Sequence, residues 1–271
     1  MINLPGEEVD LSVEVRSIGK LDIEVMTGGS GAPILVLHGF HNLPAQSAFL
    51  RKLTAFGAVY APSLPGFGHS VRPDDFDSVY DLLHCCLDFI DDLPNQPLTL
   101  VGLSFGGWLA LELATKNLPQ LERLVLVDAL GVKLSDRETP DIADIFNLHP
   151  DEVHARSWAD TEIGNLDFDT MTDDEIVVYA TNRESLCLYG WHPYMYTPQL
   201  ANWLHRISAP TLLLWGEKDR IVDLDYGRGL AARIPNARFA VITGAGHHPE
   251  VEQAEALVQQ IGAFLARDSG V

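Results

Sequence analysis

The chain has 271 residues, 46% apolar, 21% charged and 8% aromatic. At that length about three quarters of the unfolded surface can be buried, so a full core forms without disulfide or metal staples, and a disordered or collagen-like chain is excluded. The net charge is −20, from 18 Lys+Arg against 38 Asp+Glu; a field of that sign repels phosphate backbones and anionic headgroups, which argues against nucleic-acid and membrane-surface partners.

In chain order, residues 1–10 carry no basic or apolar block, so no signal peptide is visible, and no later apolar run approaches the ~18 residues of a membrane span. Residues 11–15 and 21–26 alternate apolar and polar, the period of half-buried antiparallel strands. Gly28-Gly29-Ser30-Gly31 turns the chain. Residues 34–37 are continuously apolar, as are 98–103, 124–127 and 212–215, with a weaker run at 239–242. Short continuous runs suit parallel strands buried on both faces. Amphipathic stretches at 79–93, 104–116 and 250–266 predict helices between them. The order implies an α/β fold: an open, mostly parallel sheet with an antiparallel start, flanked by helices.

One segment breaks the rhythm. No good strand lies between Asp128 and Thr211, and residues 136–175 hold thirteen acids against two bases, a local charge of −11. Helical patches at 141–146 and 173–188 alternate with Pro and Gly. Residues 131–207 are therefore expected to form a helical cap over a core built from 1–130 and 208–271. The cysteines Cys85, Cys86 and Cys187 are odd in number, with two adjacent. They are not a disulfide framework and read as reduced thiols of a cytoplasmic protein.

The strongest chemical signal is Val101-Gly102-Leu103-Ser104-Phe105-Gly106-Gly107, a serine between an apolar strand and a helix. A serine held at the top of such a turn needs small neighbours, and the helix start aims N–H groups at it. The competing reading is a Gly-rich turn with a solvent serine. A phosphate cradle is excluded, since no Gly-Lys-Ser/Thr or Gly-x-Gly-x-x-Gly accompanies it.

With this turn, three further stretches resemble the α/β-hydrolase family, of the kind with a cap. They are Leu37-His38-Gly39-Phe40, residues 64–70 (Leu-Pro-Gly-Phe-Gly-His-Ser) and Gly244-Ala245-Gly246-His247-His248-Pro249. The resemblance is tight over 33–128 and 208–267 and loose over the insertion. It implies an α/β-hydrolase fold with Ser104 as nucleophile and His247, rather than its neighbour His248, as base. It implies Asp219, in the Gly216-Glu217-Lys218-Asp219 turn, as the acid that orients the base; Asp128 and Asp223 stand as alternatives. Main-chain N–H groups of Phe40 and Phe105 are the expected oxyanion donors. His38, Gly39, His41 and Trp108, with Phe67 nearby, are expected around the pocket. Trp191 and Tyr194, in the ring-rich stretch 188–196, would form its wall or else pack the cap on the sheet. No metal or organic cofactor is expected: two adjacent histidines diverge, and no third ligand lies nearby.

The implied reaction is cleavage of a carboxylic ester through an acyl-enzyme. The expected substrate is a small-molecule neutral ester or related acyl compound; the acidic insertion reads as a solvated face, with a field that disfavours anions as the secondary reading. Serine at position 104 separates the chain from haloalkane dehalogenases and epoxide hydrolases, which carry Asp there. The loop His38-Gly39-Phe40-His41-Asn42 separates it from proline aminopeptidases, with their His-Gly-Gly-Pro-Gly. A C–C hydrolase of meta-ring-cleavage products is the alternative, and a ligand-binding member without turnover is a second. Self-association is left open.

Overall fold

The computed structural model describes residues 6–41, 43, 44, 46–136 and 138–266. Asn42 and the start of the 1–10 segment lie outside the described residues.

Eight strands form one sheet: β1 (Ser12–Ile18), β2 (Leu21–Gly28), β3 (Pro33–Leu37), β4 (Ala58–Pro62), β5 (Leu98–Leu103), β6 (Leu121–Val127), β7 (Thr211–Gly216) and β8 (Ala237–Ile242). Eight α-helices accompany them among the described residues: α1 (Ala48–Leu53), α2 (Val79–Asp92), α3 (Phe105–Thr115), α4 (Pro150–Ser157), α5 (Asp173–Gly190), α6 (Leu224–Ala231), α7 (Pro249–Glu252) and α8 (Ala254–Ala266). The strand order is β1-β2-β4-β3-β5-β6-β7-β8. Pairing is antiparallel for β1/β2 and β2/β4 and parallel from β4 to β8.

The continuous apolar runs feed two cores. Along β3, Leu35 and Leu37 face one layer while Ile34 and Val36 face the other. Strand β7 divides the same way, Leu213 and Trp215 against Leu212 and Leu214. Period-two alternation of side chains turns an all-apolar strand into mortar for both faces.

The sequence expectations and the structure part in several places, the unexpected helices α1 and α4 among them. Strand β4 was not expected: Ala-Val-Tyr-Ala-Pro is too short and too poor in branched residues to stand out. Helix α6 contains Gly227 and Gly229, which disfavour helix; Gly227 is there because a Cβ would sit 2.6 Å from the Trp215 ring. Residues 141–146 form turns rather than a helix, because the Asp141 carboxylate accepts the Leu134 and Ser135 N–H groups and the Lys133 ammonium. The helix expected at 250–266 breaks at Gln253, where φ is −138°.

Between β6 and β7 the described residues form no named strand; they form α4, α5 and two short 3-10 turns, Leu200–Asn202 and Leu204–Arg206. A capping box of Thr172 and Glu175 starts α5. The insertion grips the loop after β4: Asn182 Oδ1 accepts the Gly68 N–H, Ser185 Oγ donates to the Gly66 carbonyl and Tyr189 OH donates to the Pro65 carbonyl. Cys85 and Cys86 are buried on α2, where burial pushes the Cys85 thiol up to about 12. No described helix is long and apolar enough to cross a membrane.

Candidate active site

Ser104 sits between β5 and α3 with φ 47° and ψ −110°, outside the ordinary regions for a side-chain-bearing residue. Its N–H donates to the Val127 carbonyl at 2.8 Å, and its own carbonyl accepts from Gly107 and Leu130. The turn is close-packed: a Cβ on Gly102 would lie 2.6 Å from the Gly106 carbonyl oxygen and 2.7 Å from the Ala110 Cβ. Strain of this kind persists only where the surroundings fix it, and here both strands and helix do.

The serine hydroxyl lies 2.8 Å from His247 Nε2. On the other side of the ring, Nδ1 lies 2.8 Å from Asp219 Oδ2. All three side chains are buried. Asp219 is held by the Ile221 and Val222 N–H groups at 2.8 and 3.0 Å, both on Oδ1. Burial opposes the charged imidazolium, but the charge and hydrogen bond of Asp219 outweigh it, so His247 titrates above its ordinary value. A hydroxyl, an imidazole and a carboxylate in this line can move the serine proton to His247 as the oxygen attacks. Asp223 is elsewhere, capping α6 through the Tyr226 N–H. Asp128 lies near Asp219 and His247 but bonds the Gly216 N–H.

Phe105 opens α3, so its N–H has no intrahelical acceptor. Gly39 brings the other loop close: a Cβ there would lie 3.2 Å from Ser104 Cβ and 3.8 Å from its hydroxyl. Phe40 and Phe105 both border the cavity that Ser104 and His247 open into. That cavity has a volume of about 470 Å³. Besides Phe40, Phe105 and His247, its rings are His41, His154, Trp158, Phe168, Tyr179 and His248, and Arg183 on α5 is its one arginine or lysine.

The alpha/beta hydrolase family matches the chain over residues 34–260. The chain belongs to that family. A 2-hydroxymuconate semialdehyde hydrolase of Pseudomonas putida is 27% identical, over 98% of this chain and 98% of its own length. Among solved structures, a membrane phospholipase A described as a bacterial virulence factor superposes with a TM-score of 0.78 at 25% identity, covering 94% of this chain and 86% of that one. A meta-cleavage product hydrolase mutant superposes with a TM-score of 0.75 at 21% identity, covering 93% of this chain and 97% of that one, a likeness of fold. The protein is thus an α/β-fold hydrolase.

In this hydrolase several pocket expectations are corrected. His38 is buried beneath the loop, Nδ1 against the Gly39 carbonyl and Nε2 accepting the Leu64 N–H; it shapes the loop and does not line the cavity. Burial holds its pKa down at about 4. Gly39 packs on Ser104 and is likewise outside the lining. Trp108 turns away, its indole N–H donating to Thr197 Oγ1, and Phe67 is fully buried. Tyr194 OH donates to the Ala143 carbonyl and accepts the Ile145 N–H, so it packs the insertion rather than the cavity. Trp191 is 59% exposed and lies against Phe146. Of the stretch 188–196, Met195 alone reaches the lining. His41 does reach it, stacked near Tyr179 and His248.

Sequence reasoning missed the rings that do line the cavity, because Trp158, Phe168 and Tyr179 are scattered singly among acids. It also missed Glu252. One carboxylate oxygen of Glu252 accepts the Gly246 N–H at 2.6 Å, and the other accepts Ala159 and Asp160 N–H at 2.8 and 2.9 Å. The His247 N–H meanwhile donates to the Ser157 carbonyl at 2.6 Å. The insertion after α4 is thereby tied to the loop that carries His247. The Glu at 252, three residues past His-Pro, was the only signal available.

Proposed function

We propose that this hydrolase cleaves the carbon–carbon bond beside a carbonyl in a small conjugated keto acid, with Ser104, His247 and Asp219 as triad. The observation that carries the choice of bond is Arg183. It stands in the lining with no hydrogen bond or ion pair among the described residues, in a cavity otherwise dominated by apolar side chains. An unpaired guanidinium there suits a carboxylate. Relatives matched over nearly their whole length support this: they are hydrolases of 2-hydroxymuconate semialdehyde and of 2-hydroxy-6-oxo-2,4-heptadienoate, both keto or aldehyde acids. This departs from the expectation of a neutral substrate drawn from the acidic insertion: of the two carboxylates that border the cavity, Glu250 is paired with His248 and Asp151 is largely solvated, whereas Arg183 has no partner among the described residues.

The geometry of Ser104, His247 and Asp219 supports the following steps. Ser104 Oγ adds to the carbonyl carbon while His247 Nε2 takes its proton, and Phe40 and Phe105 N–H groups hold the oxyanion. The carbon–carbon bond breaks, its electron pair entering the conjugated ketone of the leaving fragment. That fragment receives the proton from His247. A water, deprotonated by His247, then opens the acyl-serine and releases the second acid.

Ester hydrolysis is the second reading. The same triad serves an alkoxide leaving group, and the 25% identical phospholipase A favours retaining it. The test is a panel of a 2-hydroxy-6-oxo-dienoate, short-chain 4-nitrophenyl esters and a lactone, run on wild type and Ser104→Ala. The proposal expects the dienoate to exceed the esters in kcat/KM by at least about tenfold, the scale of one pocket contact. The reverse order gives the ester reading. Fluorophosphonate labelling of Ser104 without turnover of any substrate gives the ligand-binding reading.

A further inference from the structure

Asp128 follows directly on β6, fully buried, with φ 45°. Its Oδ1 accepts the Gly216 N–H at 2.8 Å. Its Oδ2 is buried and accepts no hydrogen bond. The triad as described has no use for it. Yet one oxygen of Asp128, one of Asp219 and one nitrogen of His247 all lie within 4.8 Å of one another.

Two carboxyl groups so close and so dry do not both ionise; one keeps a proton. Counting donors decides which. Asp219 receives three: the Ile221 and Val222 N–H groups and His247 Nδ1. Asp128 receives one. The negative charge settles where the donors are, on Asp219. The oxygen of Asp128 that lacks a partner is then accounted for, because a buried oxygen bearing a proton needs an acceptor rather than a donor. Asp219 is the acceptor at hand.

We propose that Asp128 is a neutral carboxylic acid whose Oδ2–H is donated to the Asp219 carboxylate, making it a positioning residue for the acid that orients His247. Burial first, then the charge of Asp219, pushes the Asp128 carboxyl well above the usual carboxylate range. The titratable groups facing it are Asp219, His247 and, more distantly, Glu250. The device leaves a single negative charge opposite the imidazolium while adding a fourth hydrogen bond to the carboxylate that bears it. It is indifferent to whether the bond cleaved is C–C or C–O, so it stands apart from the choice of substrate.

The test compares Asp128→Asn and Asp128→Ala with wild type, using the rate of Ser104 labelling by a fluorophosphonate, which needs no knowledge of the substrate. Asn keeps an oxygen for Gly216 and offers an N–H to Asp219; Ala offers neither. Labelling by the Ala variant is expected to slow about 10- to 100-fold, the usual effect of removing a group that orients a site. The Asn variant is expected within about tenfold of wild type, with the acid limb of its pH profile in place. A downward shift of that limb on Asp128→Asn would mean that a buried negative charge had been removed, and overturns the proposal.

Thermal unfolding gives a second readout that no structural role would move. The unfolded chain ionises Asp128 above about pH 4, while the folded chain keeps its proton, so wild-type stability falls with rising pH through this group. Asn has no proton to keep. The Tm advantage of Asp128→Asn over wild type must therefore grow from pH 4 to pH 8. A difference independent of pH overturns the proposal. Should the Asn variant not fold, the infrared spectrum of wild type at pH 8 decides: a protonated-carboxyl stretch supports it and its absence overturns it.

Discussion

His247 Nε2 lies 2.8 Å from Ser104 Oγ although 143 residues separate them in the chain. Parallel strands bring this about, since β5 and the strand preceding the His247 loop both end at the same edge of the sheet. Replacing Ser104 by Ala is expected to lower kcat by at least about 10⁴-fold, because the triad acts as a unit. The thermal unfolding curve should stay near that of wild type, since only a hydroxyl is lost. A variant retaining a tenth of the activity would remove Ser104 from the chemistry.

The proposed proton transfer requires a neutral His247. Asp219 raises its pKa above the ordinary value against the opposing effect of burial. The acid limb of kcat/KM is therefore expected at a higher pH than a free histidine would give, about 6.5. Asp219→Asn removes the charge and should move the limb down as well as cut the rate. A larger rate loss in Asp128→Asn than in Asp219→Asn would exchange their roles.

Two other histidines set the acid stability. Burial holds His38 at about 4 and His41 at about 3; for His41 the neighbours His248, His38 and His247 add to burial. The folded chain keeps both neutral while the unfolded chain takes up protons below about pH 6.5. Stability is therefore lost as pH falls from about 6.5, down to about 4 for His38 and about 3 for His41. His247 works oppositely, with its contribution present below about 6.5 and lost as pH rises through its elevated value. Urea midpoints for wild type and His41→Gln at pH 7 and pH 5 measure the effect, and the variant should lose less on acidification.

Glu252 accepts three N–H groups from two segments. Hydrogen bonds to a charged acceptor contribute about 1.5–3 kcal/mol each before solvent screening. Glu252 is partly exposed, so Glu252→Ala is expected to cost about 2 kcal/mol in urea unfolding. It should also lower kcat, because Gly246 directly precedes His247, the proposed base. Glu252→Gln, which keeps one acceptor oxygen, should fall between.

Arg183→Met removes the charge and keeps most of the stem. KM for a keto-acid substrate should rise about 10- to 100-fold, the value of one charged hydrogen-bonding contact. Hydrolysis of an uncharged aryl ester should change little. Equal effects on both substrates would show that Arg183 supports the cavity wall and leaves the carboxylate elsewhere.

What the sequence made legible follows from locality. The turn around Ser104 and the Gly-Ala-Gly before His247 are written in adjacent residues, because each backbone must be tight where it stands. The strands at 98–103 and 212–215 declare themselves by being apolar on both faces. Strand β4 does not, since its place between β2 and β3 is a property of pairing rather than of Ala-Val-Tyr-Ala-Pro. The cavity rings were illegible for the same reason. Trp158 and Tyr179 meet the His41–His248 neighbourhood only after α4 and α5 have folded back over the sheet. The dense ring stretch at 188–196 misled because aromatic density marks packing as readily as a binding wall, and here it packs.

The tie between Ser157 and the His247 backbone, reinforced by Glu252, constrains how molecules enter and leave. Swinging the whole insertion aside would drag on the imidazole itself and stop turnover at each opening. Traffic is better carried by the turn holding Ile163, Leu166 and Phe168, side chains that both border the cavity and face water, at 50%, 42% and 50% exposure. On the proposed mechanism the Ser157–His247 tie keeps this part of the insertion beside the imidazole, and exchanging Ile163, Leu166 or Phe168 would reshape the cavity rim without touching the Ser104–His247–Asp219 contacts.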